Sequence, residues 1–234
     1  LIDSYQDKIH DWFLKKSDVP TILKNHNLTI GELLHKNDGF KALEQPLPDL
    51  CADRLQYNLH TGYLFKKITS QEIEDILNDL SFEDGVWFFK PASVAKKFAK
   101  LSLYFTENFW GSFENLAVCH IAAKAFKTAL SHNCITTDDI HFCNDRQVLE
   151  KVKSSQDPLA LSYLKKARDY KKHTQVGHKN FYTIYVKPKF RGVNPLVKFE
   201  DMLLRLTALD SEFSREYTRV KNLMKDGLYL KMNL

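Results

Sequence analysis

Between Ala92 and His132 apolar residues return every three or four positions. Val94, Phe98, Leu101 and Phe105 share one side, and Leu116, His120, Ala123 and Phe126 or Lys127 continue the pattern beyond Gly111. A repeat of about 3.6 residues sustained this long is the signature of amphipathic helix, and it commits the middle of the chain to an α body. Eight glycines and seven prolines in 234 residues exclude a collagen-like chain and argue against a glycine-rich barrel or sandwich. With 44% hydrophobic and 27% charged residues the chain can build a core, which excludes wholesale disorder. The length suits one domain, or one domain with a smaller appendage.

The flanks read in the same way. Tyr5, Ile9, Trp12, Phe13 and Lys16 set a helix over 4–16, which Ser17-Asp18-Val19-Pro20 stops before a short helix through Thr21-Ile22-Leu23-Lys24. Thr29 caps Ile30–Leu34 with Glu32 at the reciprocal position. Pro46-Leu47-Pro48 imposes an extended approach to a helix over Leu50–Tyr63. Thr69 or Ser70 opens Gln71–Leu80, and Gly85–Lys90 reads as a brief extended run. Thr136-Thr137-Asp138-Asp139 starts another helix, and two more are expected over 144–154 and 157–172. Phe181–Val186 is β-rich, with a second strand expected after Pro188 and a turn at Gly192-Val193-Asn194-Pro195. From Phe199 onward Met202, Leu203, Leu206 and Leu209 resume helical spacing. The expected architecture is mostly α with a small β-hairpin at about 180–197 and a C-terminal helix.

Cys51, Cys119, Cys134 and Cys143 have no Cys-x-x-Cys spacing and apolar neighbours, which reads as buried or half-buried free thiols in a reducing, cytoplasmic setting. No apolar run approaches the roughly 18–20 residues of a membrane span. The start, Leu1-Ile2-Asp3-Ser4-Tyr5, lacks signal-peptide character.

No phosphate loop, dinucleotide fingerprint, His-Glu-x-x-His or Gly-x-Ser-x-Gly is present. The informative segment is Pro48-Asp49-Leu50-Cys51-Ala52-Asp53-Arg54-Leu55-Gln56-Tyr57-Asn58-Leu59-His60-Thr61. It sets Asp53, Tyr57 and His60 at i, i+4 and i+7 on one helix face. A carboxylate, a phenol and an imidazole so placed can wall a metal and substrate site; an ordinary solvated face has the same spacing.

The run Asp49–Tyr57 resembles the closing motif of HD-superfamily metal-dependent phosphohydrolases, a helix of the form Ala-Asp-Arg-x-Asp-Tyr-x-x-Arg-Asp. The resemblance implies that Asp53 is the last metal ligand and that Arg54, Tyr57 and His60 meet or brace the substrate. Tyr5–Asp11 is similar to the helix start where a His faces the substrate phosphate, which gives His10 that catalytic part. Ser17–Leu23, the helical stretch Trp110–Ile140, and Phe181–Val197 with Lys189-x-Arg191 and Asn194-Pro195-Leu196-Val197 fall in the family's order. The resemblance implies an HD-like helical bundle, with residues 1–90 as the later part of the catalytic domain and 91–234 as an extension packed with it.

Two departures accompany the match. His10-Asp11 is an adjacent pair, but Trp12-Phe13-Leu14 follows where the family has a small-residue turn, and no His precedes it. The first metal-binding His and the His-Asp pair are therefore expected upstream of Leu1. Gln56 and His60-Thr61 also replace the usual Asp and Arg-Asp. The expectation is a divalent-metal phosphohydrolase (Mn, Fe, Mg or Zn) acting on a phosphate ester or nucleotide, with this chain inactive alone. The alternative is a degenerate HD-like domain that binds a protein or nucleotide. Relatives of this kind often self-associate, which makes a homo-oligomer an expectation too.

Charge offers a further partner. From Lys165 to Arg205 eleven basic residues face three acids, and Phe181, Tyr182, Tyr185 and Phe190 are interleaved with them. That combination suits nucleic acid more weakly than the Asp53 helix suits a phosphate ester. His120 is expected in the core; His26, His35, His132 and His141 near helix ends; His173 and His178 beside the basic loop.

Overall fold

The computed structural model describes residues 5–33 and 40–234. Leu34, His35 and the Leu1–Ser4 start, named above, lie outside the described residues. The architecture is mostly α, with thirteen α-helices and seven short strands among the described residues. The chain forms two compact units interleaved in sequence, one of Leu1–Gly39 and Lys124–Ser162, the other of Phe40–Ala123 and Tyr163–Leu234. Residue 90, the expected boundary, falls inside the larger unit.

The larger unit is built round helix Ala92–Phe105. Its Ala95, Phe98, Ala99, Leu101, Leu103 and Phe105 are all buried, so the helix is apolar on most sides and sits within the core. Leu55 and Leu59 of helix Ala52–Leu64 and Ile76 of helix Ser70–Asn78 close on it, with Phe213 and Val220 of helix Ser211–Asp226. Each buried Phe here contributes about 1.5–3 kcal/mol. Helix Ser70–Asn78 begins as the sequence predicts: Thr69 accepts from Glu72 N, and Glu72 accepts from Thr69 N. A π turn, Thr106–Trp110, closed by Gly111, interrupts the long helical stretch before helix Phe113–Ser131.

The strands are β1 (Leu80–Glu83), β2 (Val86–Phe89), β3 (Thr174–Val176), β4 (Ile184–Val186), β5 (Leu196–Phe199), β6 (Met202–Arg205) and β7 (Leu228–Met232). One sheet has the order β1-β2-β5-β6, with β2 and β5 parallel and the other pairs antiparallel. The second has the order β3-β7-β4, all antiparallel. Two expectations are corrected here. β4 and β5 do not form a hairpin, because β4 pairs with β7 and β5 joins β2 and β6 in the other sheet. Met202–Arg205 is a strand rather than the start of the final helix: Glu200 takes a positive φ of 53° in the two-residue turn that folds β6 back on β5. Asp84 and Gly85 likewise carry φ of 50° and 80° between β1 and β2, the backbone that an Asp-Gly hairpin turn requires.

In the smaller unit, helix Tyr5–Lys16 places Trp12 and Phe13 against Phe142 of helix Thr137–Phe142. Thr136 and Asp139 form a reciprocal cap, and Val148 and Val152 of helix Asp145–Ser154 are buried. All four cysteines are free; Cys51 is buried, Cys134 and Cys143 are half-buried, and Cys119 is exposed, contrary to expectation. His120 is half-buried rather than a core residue. Among the described residues no helix is long and apolar enough to cross a membrane.

Candidate functional site

Helix Ala52–Leu64 turns Leu55, Asn58, Leu59 and Gly62 inward. By helical spacing this leaves Asp53, Tyr57 and His60 on the opposite side, as the sequence predicts. Asp53 and His60 are exposed and Tyr57 is half-buried. Asp53 lies in the first turn, where the helix dipole favours a carboxylate whatever its further role.

The start of this helix is held by Arg54. Its Nη1 donates to Gln45 O at 2.6 Å and Asp49 O at 3.0 Å, and its Nη2 meets Glu44 Oε1 at 3.3 Å. The Arg54 side chain is only 12% exposed, and its guanidinium braces the backbone of the approach segment. The Leu47–Pro48 peptide within that segment is cis. Asp49 is engaged by Arg205, 2.5 Å away.

Tyr57 has a different neighbourhood. Its ring meets Trp110 edge-on at 5.0 Å. Burial pushes the phenol above its ordinary range; the Arg191 guanidinium and then Arg54 oppose that, while the Asp53 carboxylate adds to it. The phenol therefore stays protonated at neutral pH and can donate a hydrogen bond. Arg191 is exposed, on the segment that leads into β5. Val193 anchors that segment in the core, and Gly192 packs so tightly that an added Cβ would lie 2.5 Å from the Phe190 ring and 2.6 Å from Leu103. In the sequence Arg191 stands out only as part of Lys189-x-Arg191 and not as a site residue.

His60 sits apart from this cluster. It lines an apolar groove of about 600 Å³ with Gln56, Tyr63, Ile73, Leu77 and Trp87. His10 lies on the smaller unit, exposed, with Nδ1 3.8 Å from Asp11 Oδ1. Of the other histidines, His26 closes helix Val19–Asn25, His132 Nδ1 is 2.7 Å from Asp157, and His141 Nε2 is 2.7 Å from the Tyr5 hydroxyl. Among the described residues no group of three or more His, Cys, Asp or Glu side chains is placed to hold a metal ion.

Two known proteins are similar in sequence. The uncharacterized protein YdhJ of Bacillus subtilis is 27% identical over 233 residues, covering 98% of this chain and 70% of YdhJ. The metal-dependent phosphohydrolase cns2 of Cordyceps militaris is 30% identical over 77 residues, which is 33% of this chain and 22% of cns2. No family model matches the chain, and no solved structure matches it.

Proposed function

We propose that this chain carries the later part of an HD-type phosphohydrolase domain, and that helix Ala52–Leu64 forms one wall of a site for a phosphate ester or nucleotide. The observation that carries the reading is the grouping of Asp53, Tyr57 and Arg191: a carboxylate and a protonated phenol on one helix face, with an exposed guanidinium acting on the phenol. The partial similarity to a protein named a metal-dependent phosphohydrolase supports the reaction class.

The residues present do not by themselves fit a catalytic divalent ion. Asp53 is one exposed carboxylate, Asp49 is held by Arg205, and the nearest imidazole on the helix, His60, borders an apolar groove. A single carboxylate among open positions binds such an ion weakly and without selectivity. What this wall can do is recognise phosphate. Arg191 supplies a charge that phosphate oxygens pair with, Tyr57 donates a hydrogen bond beside it, and Arg54 holds the start of the helix in place.

The test is a melting-temperature and phosphate-release assay on the full 234-residue chain, with a panel of nucleotides and p-nitrophenyl phosphate, with and without Mn²⁺. Nucleotides are expected to raise the melting temperature, Arg191→Ala to abolish that rise, and phosphate release to stay at background. Binding that ignores Arg191, or no binding at all, removes the proposed wall. Metal-dependent turnover by this chain overturns the claim that its donor set is insufficient.

A second reading, a degenerate HD-like binding module, is favoured by the exposure of Asp53 and by Gln56, His60 and Thr61 at motif positions. The open reading frame of the natural protein separates the two. An upstream His and His-Asp pair favours the enzyme, and their absence favours the binder.

A further inference from the structure

The β3-β7-β4 sheet has one face in the core. Leu230 and Met232 of β7, with Ile184 and Val186 of β4, pack against Ala117 and Ile121. The alternation of strand side chains sends Tyr185 and Tyr229 the other way, and these two are directly paired in the ladder. Their rings lie 4.7 Å apart, and Tyr182 extends the row, 4.9 Å from Tyr229. Phe181 lies beneath Lys231, whose Nζ is 3.5 Å from the ring centroid, and Lys187 Nζ is 5.9 Å from Tyr185. Phe181, Tyr182 and Tyr185 are 60%, 47% and 37% exposed, a contiguous aromatic face left open on a sheet whose other side is sealed. The fourth aromatic singled out in the sequence, Phe190, is not part of it; that ring packs edge-on against Tyr217 in the main core. Tyr229 and Lys231 come instead from a strand more than forty residues further along the chain.

Two lysines, Lys231 and Lys187, stand over the rings of this face, while Asp226 lies at its edge beside the Tyr185 hydroxyl. Lys179 and Lys189 flank the same segment in sequence, whereas Lys165, Lys166, Arg168, Lys171 and Lys172 lie on helices whose Tyr163, Ala167 and Tyr170 pack on the sealed side. We infer that the outer face of the β3-β7-β4 sheet is a docking surface for single-stranded nucleic acid, with bases stacking on the Tyr182, Tyr229 and Tyr185 row and phosphates meeting Lys187 and Lys231. The lysines over the rings select a polyanion, and the exposed aromatic side chains of Tyr182 and Tyr185 select one whose bases are unpaired, since a duplex keeps its base faces hidden. A lipid surface suits this face less well: three of the four aromatics carry hydroxyls, and the rings lie along a sheet and not on a protruding apolar loop. This surface shares no residue with the Asp53–Tyr57–Arg191 wall, so either reading can fail without the other.

The test is fluorescence anisotropy of the full chain with a labelled oligo-deoxythymidine strand and with a labelled duplex of equal length, over a range of salt. The strand is expected to bind more tightly than the duplex, with affinity falling as salt rises. Tyr182→Ala is expected to weaken strand binding by about tenfold, while Tyr182→Phe, which keeps the ring, stays close to the parent. Lys187→Glu with Lys231→Glu should flatten the salt dependence. Circular dichroism reports whether each variant is folded, and Phe181→Ala, at the most exposed ring, serves as an independent probe. Equal affinity for strand and duplex with no effect of Tyr182→Ala, or binding to phosphatidylserine vesicles but not to the strand, overturns the proposal.

Discussion

Arg205 Nη1 lies 2.5 Å from Asp49 Oδ1 and also donates to Asn194 O at 2.9 Å. Asn194 in turn donates its backbone N–H to Pro48 O at 3.0 Å, and its side chain bonds both Thr207 N and the Thr207 hydroxyl. The segment before helix Ala52–Leu64 is thereby tied to the segment carrying Arg191 and to the end of β6. The helix that carries Tyr57 and the segment that carries Arg191 thus share one polar knot.

Arg205→Ala is expected to remove an ion pair that is about one-third exposed and a hydrogen bond to a buried residue's carbonyl. Such groups contribute about 1–2 kcal/mol together. Urea denaturation should report that loss. A double-mutant cycle with Asp49→Asn should show coupling between the two sites. Additive effects of the two substitutions would contradict the knot.

Arg191→Ala should move the Tyr57 phenol further in the direction burial already drives it. Arg191 is the largest influence holding that ionisation down, so its loss leaves desolvation less opposed and the titration moves to higher pH. Ultraviolet titration of the parent, of Arg191→Ala and of Tyr57→Phe identifies the band. A Tyr57 titration that Arg191→Ala leaves in place would separate the two side chains and weaken the proposed wall.

Much of this arrangement is legible in the sequence where the signal is local. Thr69 with Glu72 and Thr136 with Asp139 announce helix starts because a cap is made within four residues, and both caps form. The face shared by Asp53, Tyr57 and His60 follows from helical spacing alone. What fails is non-local or ambiguous. Met202-Leu203-Leu204-Arg205 is too short an apolar run to separate strand from helix by period, and its pairing with β5 decides the matter. β2 and β5 are more than one hundred residues apart, so nothing near either announces their parallel ladder. The backbone acceptors of Arg54, Gln45 O and Asp49 O, are carbonyls that carry no sequence signature. Tyr229 joins Tyr182 and Tyr185 only through the β4–β7 register. The Asp84-Gly85 hairpin, by contrast, has its signal in the dipeptide itself, which the reading of Gly85–Lys90 as a lone extended run passes over.

Glu72 should titrate at about 2, held below the ordinary carboxylate range first by the Thr69 backbone N–H, then by Lys97 and the Thr69 hydroxyl. A carboxylate depressed in the folded state stabilises above its unfolded pKa of about 4.5, and that contribution fades as pH falls toward about 2. Carboxyl NMR shifts of Glu72 followed through acid give the midpoint directly. Lys97→Ala is expected to raise it. Thr69→Ala should raise it as well and cost about 1 kcal/mol through the lost cap. A Glu72 midpoint near 4.5 in the parent would remove both the cap and the Lys97 contact from solution.

Gly227→Ala should be the most disruptive small substitution near the aromatic face. Gly227 ends helix Ser211–Asp226 at φ 69° and ψ −178°, a backbone that residues with a Cβ scarcely adopt. An added Cβ would also lie 2.8 Å from the Tyr185 ring and 2.8 Å from Val186 O, at the end of the β4–β7 pairing. Strain and displacement together imply a loss of about 2–3 kcal/mol. The same displacement moves Tyr185, whose hydroxyl donates to Asp226 O at 2.9 Å, away from Tyr229. Denaturation should show the stability loss, and near-ultraviolet circular dichroism should show the tyrosine row disturbed. If Gly227→Ala melts with the parent and keeps its aromatic signal, the tight turn into β7 is not what sets the outer face.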